Sequence, residues 1–125
     1  MVVGLVDTPI LIDVLRGYGP AGVWLQQQTT LGITPGTSLE LIAGARNKSK
    51  QLEARRLLKH FEMIYLTEID QAWAMQQMTD HALKHGVGVL DCLIAAPSYR
   101  LQLPLYTQNL KHFTPLLGAL AQKPY

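Results

Sequence analysis

Apolar positions along the chain switch between a continuous period and a helical one, and the switching predicts the fold. Val2, Val3, Leu5 and Val6 form a near-continuous run rich in β-branched residues, the pattern of a strand covered on both faces in a parallel sheet. Asp7 ends that run. Pro9 suits the first turn of a helix, where its missing N–H is not needed, and Ile10, Leu11, Val14 and Leu15 follow at helical spacing until Gly17. A second short helix over residues 21–28 carries Trp24, which reads as core or interface rather than as a ligand site. A strand over 31–34 stops at Pro35-Gly36.

Thr37 or Ser38 is then placed to cap a helix over 38–46, with Leu39, Ile42 and Ala43 on one side and Glu40 in its first turn. Residues 47–50 read as a polar link. The stretch 52–61 is amphipathic, with Ala54, Leu57, Leu58 and Phe61 as its buried stripe. A third strand is predicted over 62–66. Thr67 followed three residues later by Asp70 has the form of a capping box, opening the longest helix, 69–85, with Ala72, Met75, Met78 and Ala82 at about the helical period. After a flexible loop over 86–90, Asp91 is placed to cap a helix over 92–101 that is apolar nearly all round and interrupted by Pro97. A last central strand, 103–107, leads into a turn of helix toward His112 and Phe113. The tail from Leu116 to Tyr125 has no clear period.

Strands alternating with helices predict one α/β domain spanning residues 1–125, in three α/β/α layers around a mainly parallel sheet of four to five strands with right-handed crossovers. The length suits a single core. No repeat, linker or low-complexity tract interrupts it. Cys92 is the only cysteine, so there is neither an internal disulfide nor a CxxC site, which favours a reducing compartment. Asp7 breaks the first apolar run too early for a signal peptide or a membrane span, so a cytoplasmic protein with no membrane partner is expected.

Formal net charge is only +2, but Arg46, Lys48, Lys50, Arg55, Arg56 and Lys59 concentrate six of the eleven basic residues in one segment whose only acid is Glu53. Such a patch attracts a polyanion through its phosphates without reading base sequence. The plain alternative is a solvated helix face.

The chemistry lies in the acids. In an open α/β sheet, ligands bind outside the carboxyl ends of the strands, and Asp7, Glu40 and Asp91 each stand at a strand-to-helix or loop-to-helix junction. Three carboxylates gathered there repel one another when ionised, and a divalent cation is the simplest compensation. Magnesium and manganese take oxygen ligands and keep several waters. Such an ion lowers the pKa of a bound water and stabilises charge on a leaving oxygen, which points to phosphodiester hydrolysis. His81 and His85, four apart on one predicted helix, lack the Glu of a zincin pattern and are set aside as a metal pair.

Four separated blocks carry a family resemblance: DTPILIDVLRG at 7–17, the Glu of TSLELIAGAR, GVGVLDCLIAA at 86–96 and LPLYTQNLKHF at 103–113, followed by a terminal Pro-Tyr. Together the blocks resemble PIN-domain proteins of the VapC-type ribonuclease toxin family over essentially the whole chain. That resemblance implies a PIN-like fold and a Mg2+- or Mn2+-dependent endoribonuclease acting on RNA. It also implies the toxin half of a type II toxin–antitoxin pair, with a cognate antitoxin as partner and often a homodimer. Carried over by position, the acidic shell falls on Asp7, Glu40 and Asp91, with Thr8 and Thr107 as hydroxyl helpers. Many PIN domains have a further Asp in the block that here reads TQNLKHF, where this chain offers Asn109 and His112. One firmly held ion, with a second recruited by substrate, is the expectation. Pro9 and Pro97 are further departures, and Asp13 reads as a solvated helix residue.

Two other readings stand beside this one. A catalytically weakened PIN-like protein would sequester a protein or RNA partner without cleaving. A phosphoacceptor receiver domain has a similar size and acidic pocket, but needs an acidic pair after the first strand and an aspartate after the third, where this chain has Leu66-Thr67-Glu68.

Overall fold

The computed structural model describes residues 1–125. Its centre is a five-stranded sheet in the order β3-β2-β1-β4-β5, with every pairing parallel. The strands are short: β1 Leu5–Val6, β2 Gly32–Ile33, β3 Glu62–Met63, β4 Leu105–Tyr106 and β5 Ala121–Gln122. Leu5 pairs with Gly32 on one side and with Leu105 on the other, so β1 is the middle of the sheet. The chain adds β2 and β3 on one flank and β4 and β5 on the other, which makes the gap between β1 and β4 the topological switch point. A receiver-type sheet runs 2-1-3-4-5, so this strand order excludes that reading.

Seven helices cover the sheet: α1 Thr8–Leu15, α2 Gly19–Gln26, α3 Pro35–Ala43, α4 Lys48–Leu58, α5 Glu68–His85, α6 Val89–Leu101 and α7 Leu110–Leu117. Successive strand residues face opposite sides, and the core divides accordingly. Val6 packs with Ile10, Leu11, Trp24, Ile33 and Leu41 under α1 to α4. Leu5 packs with Ile94, Ala95, Leu105, Phe113 and Leu116 under α5 to α7. These two faces give the expected three layers, and Trp24 lies in the core.

Several local expectations are corrected. Val3 is exposed and Val2 half-buried, so only Leu5 and Val6 of the first run are covered on both faces. α3 begins three residues early because Thr34, not Thr37 or Ser38, caps it, accepting from the Thr37 N–H at 3.4 Å, while Pro35 takes the first helical position. Glu40 therefore sits in the second turn. The buried apolar side chain of that helix is Leu41, and Leu39 is exposed. Asn47 is no link: its side chain caps α4 through the Lys50 N–H at 2.9 Å.

The Thr67–Asp70 capping box forms in both directions, at 2.9 and 3.1 Å. The inward stripe of α5 is rotated from the predicted one, however, with Asp70 and Ala74 buried and Met75 and Leu83 exposed. Its phase is set by Asp70, whose carboxylate takes the Arg100 guanidinium of α6 at 2.9 Å. Gly86, at φ +64°, closes α5 in a left-handed turn that a side chain would strain. The tail that showed no period supplies the rest of α7, a 3-10 turn at Gly118–Leu120 and the edge strand β5.

Candidate active site

Asp7 is the first residue after β1 and Thr107 the first after β4, so the two flank the switch point at the carboxyl ends of adjacent strands. They are joined there. The Thr107 hydroxyl donates to Asp7 Oδ2 at 2.8 Å, and the Thr8 N–H donates to Oδ1 at 2.8 Å, so Asp7 is at once the cap of α1 and the partner of β4. The Asn109 N–H in turn donates to Thr107 Oγ1 at 2.9 Å. Asp7 is only 4% exposed. Burial pushes its carboxyl up to about 6; the Thr107 and Thr8 hydrogen bonds oppose that rise, and the nearby charges of Glu40 and Asp91 add to it.

The charges of Glu40 and Asp91 both bear on Asp7, and each of the three acids comes from a different element. Glu40 comes from the second turn of α3, and its Oε1 accepts the Thr8 hydroxyl at 2.7 Å. Asp91 does not cap its helix as expected. Gly88 holds the cap position and Asp91 stands three residues in, its Oδ2 accepting the Gly88 N–H at 2.9 Å. The same oxygen lies 3.1 Å from His112 Nδ1 on the first turn of α7. His112, rather than Asn109, therefore brings a side chain to the acids, while Asn109 acts through its backbone amide. The spacing of His112, three residues after Asn109 on a helix, was the available signal.

No group of three or more His, Cys, Asp or Glu side chains is drawn together closely enough to enclose a metal ion. Glu40 is held by Thr8, and Asp91 by Gly88 and His112, so the acids form an open set of oxygens rather than a closed cage. An open oxygen set fits a hard divalent ion that keeps much of its water and takes one or two carboxylates, and it does not fit a thiolate or bis-histidine zinc site. His81 and His85 lie with ring centroids 5.3 Å apart on α5, with no third ligand beside them.

The basic segment divides. Arg46 and Lys50 line a groove that runs from Glu40 past Arg16 and over Ile12 and Leu15 of α1. Lys50 also pairs with Glu53 at 3.3 Å. Lys48, Arg55, Arg56 and Lys59 are exposed on or just beyond α4, outside that groove. Asp13 is not the solvated residue expected: it accepts the Tyr125 hydroxyl at 2.6 Å and faces the Gln108 amide at 3.4 Å. No helix is long and apolar enough to cross a membrane.

No protein-family model and no curated protein sequence matches the chain. Solved structures do. A chain of a toxin–antitoxin complex from Klebsiella pneumoniae superposes with a TM-score of 0.82 at 24% identity, over 98% of both chains. A chain of FitAB bound to an IR36 DNA fragment gives 0.74 at 21% identity, covering 89% of this chain and 88% of that one. A chain of VapBC2 from Rickettsia felis, bound to a DNA fragment from its promoter, gives 0.72 at 20% identity over 90% and 91%. The five parallel strands and seven helices thus form the PIN-like fold that the sequence resemblance implied. It is the fold of chains in the Klebsiella and Rickettsia complexes, shared across nearly the whole length.

Proposed function

We propose that the chain is a Mg2+- or Mn2+-dependent endoribonuclease serving as the toxin of a toxin–antitoxin pair in the cytoplasm. The observation that carries this reading is the buried Asp7 at the switch point, tied to Thr107 and facing the charges of Glu40 and Asp91. Likeness to a toxin–antitoxin complex over 98% of the chain supports the biological setting. Asp7, Glu40 and Asp91 would hold the ion, which when bound supplies activation of a water and neutralisation of phosphate charge.

The remaining work falls to the chain itself. The Thr107 and Thr8 hydroxyls, donating to Asp7 and Glu40, fix the orientation of those two carboxylates. Burial of Asp7 excludes bulk water from one side of the reacting centre. Arg46 and Lys50 in the groove, with Lys48, Arg55, Arg56 and Lys59 beyond it, hold RNA phosphates. For a cognate antitoxin and for a second copy of the chain, exposed Ile12 and Leu15 on α1, Val23 on α2 and Leu39 on α3 offer apolar surface of the kind interfaces bury.

The test is cleavage of a mixed RNA substrate by antitoxin-free protein, with Mn2+ or with EDTA, beside Asp7→Asn. Absence of metal-dependent cleavage by the wild type refutes the proposal. A specific observation also favours the second reading, a weakened PIN-like protein that sequesters its partner: Asp91 meets the imidazole of His112 instead of another acid, and no three-residue cage forms. Retained partner binding without cleavage would select it.

A further inference from the structure

We infer that Asp13, Gln108 and Tyr125 form a strap that positions the Thr107 hydroxyl on Asp7, so that three residues outside the acidic set control the set's geometry. The inference rests on the ribonuclease reading only for its consequence, and on the hydrogen-bond network for its substance.

The strap is continuous. Tyr125 Oη donates to Asp13 Oδ2 at 2.6 Å, and Gln108 Nε2 points at the same oxygen at 3.4 Å. Gln108 also faces the Tyr125 hydroxyl, so the three polar groups meet at one place. Gln108 lies between Thr107, which donates to Asp7, and Asn109, whose N–H donates back to Thr107. Whatever fixes Gln108 therefore fixes the turn that aims the Thr107 hydroxyl.

Both ends of the strap are anchored. The Tyr125 ring packs against Tyr18 at 5.8 Å and Trp24 at 6.3 Å, and Trp24 meets Tyr106, the residue before Thr107, edge-on at 5.0 Å. Asp13 stands on α1, the helix that Asp7 caps. The strap thus ties the turn after β4 to the helix after β1, the two elements whose junction is the site. Asp13, Gln108 and Tyr125 are positioning residues: their side chains hydrogen-bond to one another and not to Asp7, Glu40 or Asp91.

Tyr125→Phe tests this by deleting one hydroxyl while keeping the ring packing, and Asp13→Ala tests the other end by removing the oxygen that both Tyr125 and Gln108 address. Amide exchange is followed by NMR on the full chain without metal or RNA. Loss of one hydrogen bond from the strap is expected to speed exchange of the Asn109 amide about fivefold, with Ala74 and Ala95 in the far layer unchanged. Unchanged exchange at Asn109, or an equal rise at all three amides, overturns the strap.

A second measurement reads the consequence. Calorimetric Mn2+ titration should show a severalfold weaker site in Tyr125→Phe, and no further weakening when Tyr125→Phe is added to Thr107→Val, because both changes act through one hydroxyl. Independent, additive effects overturn the inference. Should the wild type bind no Mn2+ at all, the metal-dependent reading fails, while the exchange result still decides the strap.

Discussion

The hydroxyl of Thr107 donates to the carboxylate of Asp7 at 2.8 Å, across a sequence separation of 100 residues, and this bond joins the two strands that flank the switch point. It is one of two hydrogen bonds opposing the effect of burial on Asp7. Thr107→Val, nearly isosteric and fully buried, should therefore move the Asp7 carboxyl further above 6 and leave the Asn109 N–H without its acceptor. A stability loss of about 1–3 kcal/mol is expected by urea unfolding, with weaker Mn2+ binding in calorimetry.

Asp7→Asn should abolish cleavage and yet stabilise the fold. Holding a buried carboxyl from an ordinary 3.8 up to about 6 costs the folded state about 3 kcal/mol once it is ionised. The amide removes that cost while its oxygen still accepts from Thr8. A higher melting temperature at pH 7.5 in EDTA, with no Mn2+-dependent cleavage, is the expected pair of results. A lower melting temperature would contradict the electrostatic account.

Stability of the metal-free wild type should fall as pH rises from about 4 to 6 and level off above. The sign follows from the proton count: Asp7 titrates near 6 when folded and near 3.8 when unfolded, so within that window the folded state holds the extra proton. Denaturant midpoints in EDTA across this range check it, the slope being reduced in Asp7→Asn. Excess Mn2+ should reverse the trend at the upper end, because ionised carboxylates bind the ion.

Asp70 behaves in the opposite sense. Burial works against its charge, but hydrogen bonds from Arg100 and Thr67 outweigh that and hold the carboxyl below the ordinary range. Its contribution is therefore present at neutral pH and lost as pH falls through that lowered value. Asp70→Ala removes the carboxylate half of the capping box and leaves Arg100 unpaired, and should cost about 2–4 kcal/mol, read as a lower urea midpoint without loss of Mn2+ affinity.

Arg46→Glu, in the groove beside Glu40, should weaken RNA binding and reduce the log–log salt slope by about 1. Lys59→Glu, outside that groove, should change the slope less. Equal effects at both positions would make the basic segment a diffuse field rather than a track leading to the acids.

Sequence by itself determined the α/β alternation, the layer count, the Thr67–Asp70 cap and the place of Asp7 after the first strand. Each of these rests on a period or a cap only a few residues long. Tertiary structure decided what depends on contacts between distant segments. Asp70 reaches across to Arg100, which sets the phase of α5 and exposes Met75. β5 exists because β4 offers an open edge to pair with, although its own residues carry no strand signal. Asp13 looked solvated because its partners, Tyr125 and Gln108, lie about a hundred residues away. Glu40 and Asp91 acquire their relation to Asp7 in the same way, since local spacing records which residue begins a helix and not which helix ends meet.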